Sequence, residues 1–241
     1  MKTAAALTAA AVSLFLLTAA VPQRTADANV VTSSADPSVR IEVPRSAHYV
    51  GTQAWVLYGI ADCRQFVYAD LDAANNVTRL YWIQFEAYLP SLPKLHHQYT
   101  SKHHVTLGGL DFYVDTWIEA KDGPTAHAAD VKPLEVFLRS NGYAVPPGIN
   151  SGSDEQHVDA LLGTKDLRLP QTTISVRLVH LADEQQRKEL MVIYSEDLTG
   201  SGLRPDDTKP GTAGYGRWQT EEAGLISRAK QRISVSSIRG P

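Results

Sequence analysis

Residues 78–88 read Thr-Arg-Leu-Tyr-Trp-Ile-Gln-Phe-Glu-Ala-Tyr, an unbroken run dense in aromatic and aliphatic side chains. Such a run fits a pleated sheet surface far better than a helix. Pro90 and Pro93 close it, since neither can donate to a strand ladder. Alternation divides the run into two faces. One carries Tyr81, Ile83, Phe85 and Ala87 and reads as core. The other carries Leu80, Trp82, Gln84, Glu86 and Tyr88. A solvated face more often carries Lys, Thr and Ser. A dry apolar face would not carry Gln84 and Glu86 without partners, because burying such groups unpaired is costly. An aromatic wall with a few convergent polar groups is the usual lining of a ligand pocket.

The other elements follow from the same patterning. Residues 53–60 and 65–71 read as strands, and the second forms a hairpin with 78–88 across Asn75-Asn76. Residues 105–118 resume β character, broken at Gly108-Gly109 by either a tight turn or a bulge. Two short helices come next. The first takes Pro133 in its opening turn and carries Leu134, Phe137 and Leu138, with Asn141-Gly142 as its stop. The second opens on a capping box, Ser153 with Gln156, and carries Val158, Leu161 and Leu162. Residues 173–181 and 189–196 form a second hairpin across the polar turn 183–187, and 218–233 reads as a C-terminal helix. Strands and helices fall in separate runs. That order predicts an α+β fold: a curved antiparallel sheet, two short central helices and a C-terminal helix, with a partly closed barrel as the main variant.

The start of the chain carries a different signal. Lys2 is the only charge before Arg24, and Ala-rich apolar sequence lies between them. Thr18-Ala19-Ala20 and Ala26-Asp27-Ala28 are two candidate cleavage patterns. Residues 1–28 therefore read as a secretory signal peptide, too short and Ala-rich in its apolar run to anchor in a membrane. The mature chain is expected outside the cell, or in the periplasm of a bacterial host, with no stable membrane span. Residues 29–48 read as a flexible N-terminus, 49–198 as one domain, 199–217 as a loop or linker, and 218–241 as the C-terminal helix and tail packed on the domain.

Composition narrows the function classes. The net charge of −3 gives no basis for nucleic-acid binding. Cys63 is the only cysteine, so no intramolecular disulfide forms, and burial alone must hold the domain. The Cys63 thiol reads as buried and inert. Asn76-Val77-Thr78 is a glycosylation sequon in a turn, which makes Asn76 the acceptor candidate. There is no nucleophile elbow, P-loop or dinucleotide fingerprint, so no cofactor is expected.

Three constellations remain. The first places Trp82, Gln84 and Tyr88 as a ligand wall with His180, and Glu86, Arg177, Tyr194 and Glu196 as acid–base machinery. Glu86 is the expected general base, Arg177 its orienter or anion clamp, and Tyr194 a donor. A metal-independent isomerase, cyclase, lyase or hydrolase acting on a small apolar or aromatic molecule fits that set. The same residues also fit a structural ion pair or a non-catalytic binding or interaction protein. The second constellation is His96, His97, His103 and His104, one His-rich loop that either binds a metal or stands in solvent. The third is Asp111, Tyr113, Asp115 and Trp117, alternating on one strand face, either a second pocket wall or the wet side of a strand.

Overall fold

The computed structural model describes residues 23–121 and 127–238. Most of the expected signal peptide, residues 1–22, lies outside that range. The fold is α+β, with two antiparallel sheets and three α-helices among the described residues. The strands are β1 (Arg24–Asp27), β2 (Val30–Ser33), β3 (Val39–Glu42), β4 (His48–Leu57), β5 (Ala61–Leu71), β6 (Val77–Tyr88), β7 (His103–Leu107), β8 (Leu110–Ala120), β9 (Thr172–Leu181), β10 (Lys188–Asp197) and β11 (Ser234–Ser237). The helices are α1 (His127–Ser140), α2 (Asp154–Gly163) and α3 (Tyr215–Arg232). No described helix is long and apolar enough to cross a membrane.

Seven strands form the main sheet in the order β4-β5-β6-β10-β9-β8-β7. Both expected hairpins are present, β5 with β6 and β9 with β10, and β6 and β10 join them at the centre. The sheet stays open, with β4 and β7 as its edges, so it does not close into a barrel. Gly108-Gly109 is a tight turn rather than a bulge. Both glycines have positive φ, and Leu107 pairs with Leu110 across them. Gly108 also abuts β11: a Cβ there would stand 2.1 Å from the Val235 carbonyl oxygen.

The sheet is covered on both faces, which is why β6 is hydrophobic on both. Phe66, Tyr81, Ile83, Phe85, Val192 and Tyr194 pack one way, against Trp218, Leu225 and Ala229 of α3 and the small sheet β1-β2-β3-β11. Val67, Leu80, Trp82, Met191 and Ile193 pack the other way, against Val158 and Leu162 of α2. A third cluster joins Leu138 of α1 to Ile60, Leu92, Leu95 and Ile149. The α2 capping box forms as expected: the Ser153 Oγ accepts from the Gln156 N–H, and the Gln156 side chain accepts from the Ser153 N–H. Pro133 does not open its helix but lies inside α1. Tertiary contacts at Leu138 override the local cost of that missing N–H.

The small sheet revises the N-terminal reading. Residues 29–48 are not a flexible tail, because they contain β2, β3 and the start of β4. Short strands of mixed polarity show no periodicity on their own; here β2 pairs with β3 and β3 with β11. The polar stretch 199–217 likewise holds a 3₁₀ turn, Pro205–Thr208, and the first residues of α3. β1 begins after the first candidate cleavage pattern and runs into the second. Arg24 stacks its guanidinium 4.5 Å from the centre of the Phe85 ring and donates to the Asp36 carbonyl.

Cleavage after Ala20 preserves these contacts, and cleavage after Ala28 removes them. A chain beginning at residue 29 is therefore expected to lose roughly 1–3 kcal/mol relative to one beginning at residue 21. Thermal unfolding of the two purified chains measures this, and equal midpoints would show that β1 contributes nothing.

Candidate functional site

Cross-strand pairing decides which side chains share a face. In this sheet Glu86 lies between Cys63 and Glu189. Gln84 lies between Gln65 and Met191, and Trp82 between Val67 and Ile193, with Arg177 beyond Ile193. Trp82, Gln84, Glu86, Tyr88 and Arg177 thus share one face, as expected from sequence. His180, Tyr194 and Glu196 do not. Tyr194 is fully buried in the opposite core, and its hydroxyl donates to Glu196. Glu196 is held by Arg228 of α3 at 2.9 Å. His180 packs on Phe112 on that same opposite face. The odd-numbered residues of β10 face Glu86, not the even ones, and in a two-residue period one step exchanges the faces. Arg177 pairs with neither Glu86 nor Glu196 but with Asp115, at 2.8 Å.

Around Glu86 the structure assembles a buried polar cluster that the sequence reading only half contains. Gln84 is its hub. The Gln84 Oε1 accepts from Trp82 Nε1 at 2.9 Å and from Gln65 Nε2 at 3.2 Å. Its Nε2 donates to Asp154 Oδ2 at 3.1 Å and to Glu86 Oε2 at 3.4 Å. The Cys63 thiol of β5 donates to the same Glu86 oxygen at 3.6 Å. Glu189 Oε2 accepts from the Tyr99 hydroxyl at 2.7 Å and faces His97 Nδ1 at 3.0 Å. His97 stacks on Tyr88, with ring centres 4.4 Å apart. Its relative exposure is 6%.

His97 reaches this face because Arg187 shapes the segment that carries it. The Arg187 guanidinium donates to the carbonyls of Tyr88, Leu89, Leu92 and Leu95. The His97 N–H donates to the Gln186 carbonyl at 2.7 Å. The other loop histidines stand apart: His96, His103 and His104 are exposed, and His96 bonds the Lys94 carbonyl and Gln98.

The electrostatics are those of acids removed from water. Burial, then the nearby charges of Glu189 and Asp154, hold the Glu86 carboxyl well above the ordinary carboxylate range. Burial pushes Asp154 and Glu189 up to about 7 each. Burial lowers His97 to about 4, so it is neutral near pH 7. Two carboxylates about 5 Å apart repel by roughly 3–4 kcal/mol at an effective dielectric of 20. The cluster therefore keeps protons at neutral pH. One nitrogen of His97 and one oxygen each of Glu86 and Glu189 lie within 4.8 Å of one another, a donor set suited to a metal ion. The Cys63 thiol is pushed far up by burial and by Glu86, which removes it as a nucleophile.

Beside this cluster, towards the other end of β6, α2 and the sheet enclose a cavity of about 100 Å³. Leu80, Trp82, Trp117, Val158 and Ile193 form its apolar wall, and Ser175 and Ser195, bonded to each other at 2.8 Å, lie beneath. Its rim carries Glu119, Glu155, Asp159 and Lys121. Of the strand face Asp111, Tyr113, Asp115 and Trp117, only Trp117 lines this space. The sequence reading omitted Glu189 and Asp154. Glu189 lies at the start of its strand, and Asp154 sits in the first turn of α2, where an acid has a sufficient local reason to occur. The sequon residue Asn76 is half-buried, and its side-chain amide donates to Asp72 at 2.8 Å. Comparison with known protein families, curated proteins and solved structures finds no match to this chain.

Carboxyl groups whose folded pKa is raised stabilise the fold fully below their unfolded pKa and lose that contribution as pH climbs through the folded value. Asp154 and Glu189 act in that sense up to about pH 7, while His97 acts oppositely between about 4 and 6.5. The acids outnumber the imidazole. Chelator-treated protein is expected to lose on the order of 3 kcal/mol between pH 5.5 and 8. Glu86→Gln should flatten that slope and raise stability at pH 8. Urea unfolding at both pH values measures it, and a wild-type stability that rises with pH would contradict the assigned directions.

Proposed function

We propose that this protein is exported and binds a small apolar or aromatic molecule between Trp82 and Trp117, with a neutral or cationic end of the ligand at the rim. The observation that carries the reading is the cavity itself: two indoles, Leu80, Val158 and Ile193 around about 100 Å³. An apolar cavity of roughly 150 Å³ is known to hold one benzene ring, so this smaller space takes a short alkyl group or a single ring that stays partly in the open mouth. The remainder of a larger ligand would lie outside, against the rim. There Glu119, Glu155 and Asp159 face one lysine, and Lys121 already donates to the Leu169 carbonyl. That rim disfavours an anionic ligand. Export is supported by Lys2, the apolar run after it and the small-residue pattern at Ala20.

Binding without acid–base catalysis is favoured over the enzymatic reading by one arrangement. Neither Glu86 nor Gln84 lines the cavity, whereas Trp82, two residues along the strand, does. A general base must come within hydrogen-bond reach of the proton it removes. Arg177 and Tyr194, the other members of the expected machinery, are committed to Asp115 and Glu196.

Phenethylamine and phenylacetate share a ring and differ in the sign of the end group, so they separate the two parts of the proposal. Phenethylamine is expected to shift the indole N–H resonances of Trp82 and Trp117, and phenylacetate to do so weakly. Trp117→Ala should weaken phenethylamine binding by roughly 5–30-fold, the worth of about 1–2 kcal/mol of ring contact. Indole resonances that no ligand of this size moves, or an affinity unchanged in Trp117→Ala, would refute the site.

A further inference from the structure

We infer that Glu86, Glu189 and His97 form a buried binding site for a divalent first-row transition-metal ion, separate from the Trp82–Trp117 cavity. Three observations carry this. The first is the donor geometry. One ligating atom from each residue lies within 4.8 Å of the other two, and all three side chains are buried. Donors bonded to one zinc-like ion at about 2.0–2.2 Å stand at most roughly 4.4 Å apart, so small rotamer adjustments close the set.

The second is an unfinished bond. His97 Nδ1 faces Glu189, but His97 Nε2 is buried with no hydrogen-bond partner among the described residues. A neutral imidazole has one lone pair to give, and a buried polar atom without a partner calls for an explanation. The third is charge. Two ionised glutamates and a neutral imidazole cancel a 2+ ion, which removes the repulsion between acids placed directly opposite each other on β6 and β10. Arg177, a basic side chain on this face, is bound to Asp115.

The surroundings suit such a site. Tyr99 holds Glu189, while Gln84 and Cys63 hold Glu86. Partners of this kind orient the groups that bind a metal. An imidazole with two carboxylates favours Zn²⁺, Co²⁺ or Mn²⁺ over Mg²⁺ and Ca²⁺, which prefer all-oxygen shells. The site also differs from the His-rich loop as the sequence suggested it, because only His97 of the four histidines takes part.

Cobalt tests this directly. Untagged full-length protein, stripped with chelator, is titrated with Co²⁺ and followed by visible absorption, then back-titrated with Zn²⁺. About one Co²⁺ per chain is expected, displaced by Zn²⁺ and not by Mg²⁺. Glu86→Gln and Glu189→Gln, both isosteric, should each weaken Co²⁺ binding by at least roughly tenfold, while His96→Gln leaves it unchanged. Near-UV circular dichroism of the stripped variants separates lost binding from lost folding. Wild-type protein that takes up far less than one Co²⁺, folded glutamine variants that bind as wild type does, or binding abolished by His96→Gln would each overturn the inference.

Discussion

The withdrawal of three carboxyl groups from water on one face of a sheet sets the conditions that the rest of this structure meets. Glu86, Glu189 and Asp154 lie within mutual electrostatic reach, and Arg177, which draws on Glu189 and Asp154 from a distance, is ion-paired with Asp115 instead. Isolated, each would cost several kcal/mol to bury in charged form. The molecule answers in two ways. It raises their pKa values so that protons remain, and it surrounds them with directed donors from Gln84, Cys63 and Tyr99. Gln84 is central because its amide has two ends. It accepts from Trp82 and Gln65 on one and donates to Glu86 and Asp154 on the other. A single side chain so links the indole of the cavity wall to the acids.

The supports of this cluster come from distant parts of the chain. β5, β6 and β10 supply Cys63, Gln84, Glu86 and Glu189 in register. The first turn of α2 supplies Asp154, and an irregular segment held by Arg187 supplies His97 and Tyr99. Arg187 is bound to four carbonyls of a segment without regular structure. That replaces the ladder bonds such a segment lacks, and it keeps the segment from leaving buried carbonyls unpaired. The other face of the sheet has a different task. There Tyr81, Tyr194, Asp70, Arg232, Glu196 and Arg228 join the sheet to α3 through polar contacts at the margin of an apolar core. The other face is filled by side chains of α3 and the small sheet.

Much of the main sheet was legible in the sequence because β6 and the two hairpins carry strong alternation and clear turns. The face of β6 that turns its indole and its acid towards a partner layer was legible for the same reason. What failed was parity on β10. Tyr194 and Glu196 are conspicuous, but Glu189, Met191 and Ile193 face Glu86, and only pairing with β6 fixes that choice. Asp154 was hidden by its own good local explanation as an acid in the first turn of a helix. The small sheet was invisible because four-residue strands of mixed polarity acquire meaning only from the partners they meet.

The most direct measurement is a carboxyl-carbon NMR titration of chelator-treated protein labelled at glutamate side chains, with Glu86→Gln and Glu189→Gln assigning the two signals. Both carboxyls are expected to keep their protons well above the ordinary carboxylate range, with Glu189 near 7, and to move together because each feels the other. Two independent titrations near 4.3, the value of a solvated glutamate, would mean that water reaches these acids and that the buried cluster does not exist as described.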